Sequence, residues 1–585
     1  INHGLVVENG TGDPIMTINS DGTTKINNLT VGLGSYTDTS NTIFGNEALA
    51  SITTSAGGNT AIGTSALKST TTGYKNTAVG KGAMENNENG YFSTAIGFEA
   101  LNSSISCVSN VAIGTSALSQ NLTGFMNTAV GSYAMADSVG TGSRNTAIGG
   151  LALKTCTIGS YNSAIGVQSL EINTTGSKNA AIGFRSLGNN TTGSENAAIV
   201  YASLFQNTTG SGNVAIGSTT LYNNTTGSNN VAIGKEALKS SATRSGNTAI
   251  GTSALKDNTT GLSLVAVGYN ALNNNTTGHY NSAFGVSALH RNTTGGHNIA
   301  IGINALYQNI ETNDMVAVGS QAGQNAKSTG SVYIGRMAGW LNTTGGYNVF
   351  VGSECAKSGT TIRETVAIGH QAAYQTTTGA QNIAVGLLAF YKNTTGSQNV
   401  ALGRSALYYN ATANHNNAVG YYTMYNNTTG TRNSALGTQA VYYNTTGSDN
   451  SALGHKSAFY NTTGSENTAI GSEALYNNKT GGRNTAIGAY AMEGAVNQSH
   501  NYNTAVGYSA GNAITTGDWN VFIGDSTGLG VTTGSDNTFL GGAAGQSLIT
   551  GSNNVCIGRI AEPSADDVSN EITLGNTSVT TLRCN

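Results

Sequence analysis

Side chains that could catalyse a reaction or bind a metal ion are scarce and scattered in this sequence. The eight His residues are spread over 585 positions, and we expect them to be isolated surface residues. Glu562, Asp566 and Asp567 form a small acidic group, which is more typical of a solvated loop than of a glycosidase pair. The sequence therefore predicts no catalytic residue, no metal site and no cofactor, in a protein that is not an enzyme.

Charge and cysteine usage narrow the range of partners. The net charge of −3, from 25 basic and 28 acidic residues, leaves no basic surface for nucleic acid. No stretch approaches the roughly 18 consecutive apolar residues of a membrane span, so we expect no membrane insertion. The five Cys residues lie far apart and are odd in number, which predicts neither a disulfide framework nor a zinc site.

One group of residues has both the chemistry and the spacing of a binding surface. Aromatic side chains recur every 17 residues between positions 391 and 476, some followed directly by a second aromatic residue. Rings in such a row could bind sugars or a protein surface, or they could form a stacking ladder that stiffens the chain or lines an interface between subunits. We call this candidate surface-binding group the aromatic stripe; its members are Tyr391, Tyr408, Tyr409, Tyr425, Tyr442, Tyr443, Phe459, Tyr460 and Tyr476.

The spacing of the stripe belongs to a repeat that runs through almost the whole chain. A Gly after an Ala-aliphatic pair, as in Ala61-Ile62-Gly63, marks most of the 32 anchor positions from Gly45 to Gly575. Of the 31 intervals between them, 27 are 17 residues long, two are 18, one is 16 and one is 19. A constant period of this kind is typical of repeat architectures and not of several globular domains.

The repeat unit reads N-x-A-I-G-x-x-A-L-x-x-N-T-T-G-S-x, and its first Asn is numbered position 1. Positions 2 and 4, which are β-branched and aliphatic, suit one face of a strand, and positions 1 and 3 suit the other. Gly at position 5 interrupts the pattern before the second apolar segment, which contains Leu or Met at position 9. Since neither segment is long enough for an ordinary helix, we predict two short strands per repeat.

The segment at positions 12 to 15 predicts a turn. Asn side chains bond their own backbone in turns, and Gly supplies the positive φ of a tight corner. The string also reads as an N-glycosylation acceptor, but its recurrence in phase with the repeat favours the turn. Asn-Thr-Thr-Gly occurs 12 times, beginning at Asn173, Asn190, Asn207, Asn224, Asn258, Asn275, Asn292, Asn342, Asn393, Asn427, Asn444 and Asn461.

Such units cannot bury an apolar face alone, whereas coils stacked about 4.8 Å apart can. We therefore predict an all-β fold, a parallel β-solenoid or β-roll of about 31 coils with an Asn ladder at position 1. The composition agrees, with 80 Gly for corners and only 2 Pro to interrupt backbone pairing. The predicted domains are an N-terminal β connector or cap over 1–40, the solenoid over 41–560 and a C-terminal end segment over 561–585.

Stacked Ala at position 3 would make a flat face that another backbone could approach closely. We predict that this face, or the Ala at position 8, packs against sister chains around a threefold axis, which makes the protein a homotrimeric rod. The alternative is a smooth face in contact with solvent.

Some coils carry Gly in place of Leu at position 9, as at Gly511 and Gly528. Large residues stand at position 3 in several of these coils, for instance Tyr333, Phe522 and Phe539. We expect the volume lost at position 9 to be refilled from position 3.

The motif Asn-x-Ala-Ile-Gly-x-x-Ala resembles the head repeats of YadA-type trimeric autotransporter adhesins, which are left-handed parallel β-rolls assembled as trimers. The resemblance covers residues 41 to about 558, with a longer period because the Asn-Thr-Thr-Gly segment enlarges a turn. The same style of repeat is similar to segments of bacteriophage tail fibres.

Both ends of the sequence also resemble parts of phage fibres. Residues 14–22 resemble small β segments at fibre shaft junctions. Residues 571–585 resemble the junction that precedes an endosialidase-type intramolecular chaperone in viral fibres and tailspikes. Such a chaperone helps three chains to trimerise and then cuts itself away, so this resemblance implies a mature trimeric fibre.

The expected function is that of a structural, non-enzymatic fibre protein on the surface of a phage-like virion, an extracellular fibre that mediates or positions attachment to a host surface. Its expected partners are sister chains in a homotrimer, a host cell-surface glycan or protein receptor, and other virion tail or fibre proteins. A bacterial trimeric surface adhesin is the alternative. An ice- or surface-binding repeat protein is a third possibility, which would require one flat outward array of Thr.

Overall fold

The computed structural model describes residues 6–18, 24–26, 29–32, 40–53, 56–495, 498–581 and 583. The chain divides into two units, Ile1–Gly296 and His297–Asn585. Each unit is an all-β parallel solenoid with a spacing of about 17 residues between coils, and the two units together hold about 31 coils. The described residues contain no helix.

Unit 1 begins with a small antiparallel meander. Its strands are β1 (Val6–Glu8), β2 (Pro14–Ile18), β3 (Thr24–Ile26) and β4 (Leu29–Gly32). Each of them pairs with the next, and β4 pairs antiparallel with the first coil strand, β5 (Thr42–Gly45). The predicted β connector therefore lies against the first coil; residues 19–22 of the junction-like segment lie outside the described residues.

The coils of unit 1 contribute one short strand each, over positions 2 to 4 of the repeat. Neighbouring strands pair in parallel and in register, so that Thr60 lies opposite Thr77 and Ala61 opposite Ala78. After β5 the strands are β6 (Thr60–Ile62), β7 (Thr77–Val79), β8 (Thr94–Ile96), β9 (Val111–Ile113), β10 (Thr128–Val130), β11 (Thr146–Ile148), β12 (Ser163–Ile165), β13 (Ala180–Ile182), β14 (Ala197–Ile199), β15 (Val214–Ile216), β16 (Val231–Ile233), β17 (Thr248–Ile250), β18 (Val265–Val267) and β19 (Ser282–Phe284).

Unit 2 repeats this arrangement with the same register, and Val555 in its penultimate strand lies opposite Ile572 in the last. Its strands are β20 (Ile299–Ile301), β21 (Val316–Val318), β22 (Val332–Ile334), β23 (Val349–Val351), β24 (Val366–Ile368), β25 (Ile383–Val385), β26 (Val400–Leu402), β27 (Asn417–Val419), β28 (Ser434–Leu436), β29 (Ser451–Leu453), β30 (Thr468–Ile470), β31 (Thr485–Ile487), β32 (Thr504–Val506), β33 (Val521–Ile523), β34 (Thr538–Leu540), β35 (Val555–Ile557) and β36 (Ile572–Leu574).

The prediction of two strands per repeat is wrong, because positions 7 to 9 turn instead of extending. Arg185 at position 7 has a φ of +55°, and Leu187 at position 9 has a φ of +52°. This left-handed backbone is costly for residues with a Cβ. Hydrogen bonds to both adjacent coils offset the cost. The Arg185 amide donates to the carbonyl of Val167 at 3.0 Å, and the Leu187 amide donates to that of Ser203 at 2.9 Å.

The predicted Asn ladder at position 1 is confirmed and lies inside the coil. The backbone amide of Asn213 donates to Oδ1 of Asn196, one coil earlier, at 2.9 Å. Its Nδ2 donates across the coil to the carbonyl of Gly227 at position 15, also at 2.9 Å. Each Asn therefore ties its coil to the previous one and closes its own coil.

A second Asn ladder stands at position 12, where the turn interpretation is confirmed. Nδ2 of Asn207 donates to Oδ1 of Asn190 at 2.7 Å and to the carbonyl of Gly210, in its own turn, at 2.9 Å. All 12 Asn residues of the Asn-Thr-Thr-Gly segments have no exposed surface. Their side-chain amides serve the interior of the coil, which is incompatible with a glycan attached to them in the folded chain.

The prediction that the Ala face packs against sister chains is wrong, because positions 3 and 8 point into the coil. Ala181 at position 3 and Ala237 at position 8 have no exposed surface, whereas Ile182 at position 4 is 40% exposed. In a coil with Leu at position 9, the interior holds that Leu and two Asn side chains as well, so only a methyl group fits at position 3. The outer face of the strands carries the larger aliphatic residues.

Gly at position 5 is required by close contact between coils. Gly166 has a φ of +132°, and a Cβ there would lie 2.6 Å from the carbonyl oxygen of Gly183 in the next coil. A side chain at this corner would push successive coils apart, which explains much of the high Gly content.

The predicted exchange of volume between positions 9 and 3 is confirmed. Phe522 has no exposed surface and lies between two position-9 glycines. A Cβ added to Gly511 or Gly528 would lie 2.7 Å or 2.5 Å from its ring atoms. Tyr333 is placed in the same way between Gly323 and Gly339.

We predict that Phe522→Ala destabilises the surrounding coils by about 3 kcal/mol or more, because the flanking glycines cannot fill the cavity. Native-state hydrogen exchange of the amides between residues 505 and 557 measures this loss. The matched control is Phe98→Ala, since Phe98 is 45% exposed and its removal leaves no cavity. Equal effects of the two substitutions would contradict the packing described here.

Candidate functional site

The aromatic stripe lies within unit 2 and forms two stacks. The six position-10 rings stack face to face, with successive centroids 5.0–5.3 Å apart and planes within 24° of parallel. At position 11, Tyr443 and Tyr460 stack at 5.2 Å and 3° from parallel. The distance between coils sets this ring spacing, since every coil places the same position one strand separation further on.

Position 9 is buried and position 10 faces outward, as predicted. Leu407 and Met424 have no exposed surface, whereas the neighbouring Tyr408 and Tyr425 are half-buried. Tyr409 at position 11 is 40% exposed. The position-10 rings therefore cover the outside of the core, and the position-11 rings stand next to solvent.

Three further tyrosines belong to this surface. Tyr374, at position 10 of the preceding coil, stacks on Tyr391 at 5.1 Å and 8°. Tyr422 meets Tyr425 edge to face at 5.0 Å, and Tyr421 meets Tyr422 at 4.2 Å. Extending the position-10 column by one coil would have found Tyr374. Positions 6 and 7 approach position 10 only through the left-handed turn, which the sequence pattern does not predict.

Basic side chains lie over several of the rings. Lys392 Nζ is 5.7 Å from the ring centroid of Tyr391, and the Arg404 guanidinium is 5.8 Å from that of Tyr421. Each such contact stabilises by about 0.5–1 kcal/mol at an exposed site. These cationic groups also cover parts of the ring surface that are not covered by neighbouring rings.

Packing changes the acidity of the phenols. Burial, followed by the charges of Tyr409 and Tyr408, raises the pKa of Tyr425 to about 12. Burial also raises the pKa of Tyr391, Tyr408 and Tyr442, with neighbouring tyrosines adding to the effect. These four phenols therefore stay neutral hydrogen-bonding groups at physiological pH.

The geometry limits what the stripe can bind. A ring inside the position-10 stack has one neighbour on each face, so its faces are occupied by other rings. What remains accessible is a row of ring edges, phenol hydroxyls and the position-11 tyrosines. This surface suits broad contact with a macromolecule better than the insertion of sugar rings between aromatic faces.

The acidic group and the histidines are the other candidate residues. Within the described ranges, no three His, Cys, Asp or Glu side chains come together to hold a metal ion. Asp566 and Asp567 are exposed, in agreement with a solvated loop, and Glu562 accepts hydrogen bonds from the Ser547 amide at 2.9 Å and hydroxyl at 2.6 Å.

The prediction of surface histidines is wrong for His500, which has no exposed surface. It occupies position 15, normally Gly, in the coil lengthened to 19 residues. Nδ1 lies 3.3 Å from Oδ1 of Asn484 and 3.4 Å from Nδ2 of Asn503, and burial lowers the pKa of the imidazole to about 4. His500 is therefore a neutral part of the coil interior.

Four of the five cysteines, Cys107, Cys156, Cys355 and Cys556, are buried free thiols. Burial raises the pKa of Cys156 and of Cys556 to about 11, which keeps both unreactive. Cys584 lies outside the described residues.

The functional interpretation of this chain depends on its fold and its surface. No protein-family model and no curated protein matches the chain. In the part of the chain that the structure describes, no helix is long and apolar enough to cross a membrane.

We predict that the free energy of unfolding falls as the pH rises from about 10 to about 12. Tyrosines of the unfolded chain lose their proton near pH 10. Tyr425 keeps its proton to about pH 12, so the folded state binds more protons in this range and rising pH favours unfolding. Unfolding titrations at a series of pH values, with tyrosinate absorbance recorded in parallel, measure the effect.

Tyr425→Phe is the control for this titration, because Phe459 already occupies position 10 in the same stack. The variant should be less sensitive to pH between 10 and 12 than the parent chain. An unchanged pH dependence would show that Tyr425 ionises like a solvent-exposed phenol.

Proposed function

We propose that this chain is a structural, non-enzymatic fibre protein of a phage-like particle, which assembles as a homotrimer and mediates or positions attachment to a host surface. The observation that carries the proposal is an outward column of aliphatic residues at position 4. In four consecutive coils of unit 2, Leu436 is 50% exposed, Leu453 47%, Ile470 37% and Ile487 37%. Ile148, Ile165 and Ile182 form the same kind of column in unit 1, at 37–40%.

A continuous aliphatic column is unusual on the surface of a monomer. Scattered exposed apolar residues need no explanation, but contiguous apolar patches mark contact with a partner. Because every coil repeats the column in register, a second copy of the chain offers the matching surface along the same direction. Closed cyclic symmetry uses one such face per subunit without leaving an open edge. The proposed number of chains in the oligomer, three, is based on the resemblance to trimeric fibre and adhesin repeats.

The proposed interface is thus the position-4 column and not the Ala columns. Around a threefold axis, three aliphatic columns would be removed from water together, at about 25 cal/mol for each Å² buried. Positions 2 and 4 share this face, and the half-buried residues at position 2 would form its border.

We predict that Leu436→Lys combined with Leu453→Lys breaks the trimer, because charges in the aliphatic interface would be desolvated without partners. Analytical ultracentrifugation should find three chains per particle for the parent and fewer for the variant. Circular dichroism should show that the separated chains keep their β structure, since both side chains face outward in a single chain.

The matched control is Thr429→Lys combined with Thr446→Lys, two exposed position-14 residues in the same region. This variant should remain trimeric. A parent chain that stays monomeric at micromolar concentration would contradict the proposed assembly, and a trimeric Leu436→Lys, Leu453→Lys variant would rule out position 4 as its interface.

The attachment function is supported by the aromatic stripe and by the repetition of surface features. Three chains would present each exposed group three times, so that weak individual contacts could combine into firm attachment. Tyr409 and Tyr443, exposed at 40% and 39%, are the members of the stripe best placed for contact with a receptor.

We predict that Tyr409→Ser combined with Tyr443→Ser weakens attachment of the labelled full-length protein to bacterial cells by several-fold. The matched control is Tyr269→Ser, since Tyr269 is 55% exposed and lies outside the stripe. Flow cytometry on a panel of bacterial strains measures binding. Equal binding by all variants would exclude the stripe as the recognition surface, and no binding of the parent to any strain would contradict the attachment function.

A bacterial trimeric surface adhesin is the second candidate, favoured by the same Asn-x-Ala-Ile-Gly coils. The two functions differ in location, which antibody labelling of purified phage particles and of bacterial cell surfaces distinguishes.

A further inference from the structure

A groove at another corner of unit 2 has the composition of a carbohydrate-binding site. Position-17 side chains line one side of it and exposed position-14 threonines the other, with the half-buried position 16 between them. Its volume is about 280 Å³, near the lower end of the roughly 300–1,000 Å³ of small-molecule sites. The residues that matter most here are Glu466, Arg483, Asn501 and Tyr502.

The groove opens where the regular repeat is interrupted. Position 16 carries Ser in the two preceding coils, at Ser448 and Ser465, but Gly482 here. Because Gly482 has no side chain, the groove is deeper between the position-14 threonines and the position-17 side chains. The Gly482 amide donates to Oδ1 of Asn501 at 2.9 Å, which holds that amide side chain at the edge of the groove.

An aromatic platform stands next to the groove. The rings of Tyr502 and Trp519, at position 17 of successive coils, stack at 4.1 Å and 3° from parallel. The Arg483 guanidinium lies over one face of the Tyr502 ring, 5.2 Å from its centroid, and Trp519 covers the other face. The free face of the platform is therefore that of Trp519, which is 58% exposed and lies on the side of Tyr502 away from Arg483.

This platform differs from the interior of the position-10 stack in having a free ring face. Rings inside that stack are covered on both faces, whereas Trp519 is the last ring of its own stack. Large exposed aromatic surface is costly in water unless a ligand covers it. An indole beside a polar groove suits a ligand with one apolar face and a polar rim, which is the amphipathic pattern of a pyranose ring.

The polar groups of the groove fit hydroxyl groups. Arg483 Nε donates to Oε2 of Glu466 at 2.9 Å, so the two charges balance. Arg483 also donates to the hydroxyl of Tyr502. Guanidinium donors, carboxylate acceptors and the mixed amide of Asn501 can all bond hydroxyls, which both donate and accept. The balanced charge favours a neutral ligand over a phosphate or a carboxylate.

A second groove of unit 2 has a similar composition. It measures about 340 Å³, and its lining includes Lys327, Gly346, Tyr347, Arg363 and Glu364. Gly again stands at position 16, but here the aromatic residue follows it directly at position 17, and Tyr347 is 69% exposed. The combination of Gly, ring, Arg and Glu at one corner therefore recurs in the chain.

We propose that the first groove and Trp519 together bind an extended neutral oligosaccharide, and that the second groove binds a glycan beside Tyr347. One sugar ring stacks on the free face of Trp519, and hydroxyls of other rings in the same oligosaccharide bond to Arg483, Glu466 and Asn501. The proposal deepens the attachment function proposed above, on which it rests only for the source of the glycan, a host cell surface.

The test uses the fluorescence of Trp519 in the full-length protein. The sequence has two Trp residues, so a Trp340→Phe background leaves Trp519 as the only fluorescent indole. The probes are neutral oligosaccharides of glucose, galactose, mannose and N-acetylhexosamines, with sulfated and sialylated oligosaccharides as a separate arm. We expect at least one neutral oligosaccharide to change Trp519 fluorescence saturably, with a Kd of about 1 mM or tighter.

Two variants in this background locate the site. Tyr502→Asn should weaken that binding roughly threefold to tenfold, because Trp519 loses the ring on which it stacks; Asn tolerates the φ of +60° at this position. Tyr161→Asn is the matched control: Tyr161 also occupies position 17, has a φ of +62° and is 54% exposed, but the next coil has Lys178 where Trp519 follows Tyr502. It should bind like the parent.

Several outcomes would overturn the proposal: no response to any neutral oligosaccharide, a response to the anionic arm alone, or equal binding by Tyr502→Asn and its parent. Cell attachment separates this proposal from the fibre function. If Trp519→Asn and Tyr347→Asn leave cell attachment unchanged, the grooves are not the sites of attachment, whereas the attachment function itself is not contradicted. Saturable sugar binding without attachment to any cell would support the glycan-binding grooves and contradict the attachment function.

Discussion

Hydrogen bonding of each coil to both of its neighbours is the constraint on which this fold depends. The Thr94 amide donates to the carbonyl of Asn110 in the following coil at 2.8 Å, and the Gly97 amide donates to that of Val79 in the preceding coil at 2.8 Å. A coil that changed its path would leave such groups unpaired on two sides. The backbone path must therefore repeat from coil to coil. As a consequence, side chains at the same position of successive coils lie directly next to one another. Polar residues inside the coil need hydrogen-bond partners there, and Asn, with one acceptor and two donors, finds them both in its copies and in the backbone.

The same constraint explains which features the sequence predicts. The period, the parallel stacking and the Asn ladders all follow from repetition, and the refilling of Gly511 and Gly528 by Phe522 follows from conservation of volume. Alternation shows that positions 1 and 3 share a face of the strand but not which face is inside. The left-handed turn at positions 7 to 9 has no Gly or Asn to mark it in most coils, because its cost is met by hydrogen bonds to neighbouring coils. The aromatic column at position 10 can be predicted from the fixed period of the repeat, as the Asn ladders can. The groove at Gly482 depends on the geometry of a corner, which the repeat pattern does not predict.

Regularity and binding oppose each other in such a fold. Where an aromatic residue repeats in every coil, each ring covers its neighbours, so the stack stiffens the surface and leaves few ring faces for a ligand. Free faces arise where a column ends, as at Trp519, and depressions arise where one coil lacks the side chain that its neighbours carry, as at Gly482. Selection for stability favours the uniform coil, since every irregular residue loses a stacking partner on two sides. Irregular positions that combine an exposed ring with paired charges are not explained by the repeat, and for this reason we propose binding there.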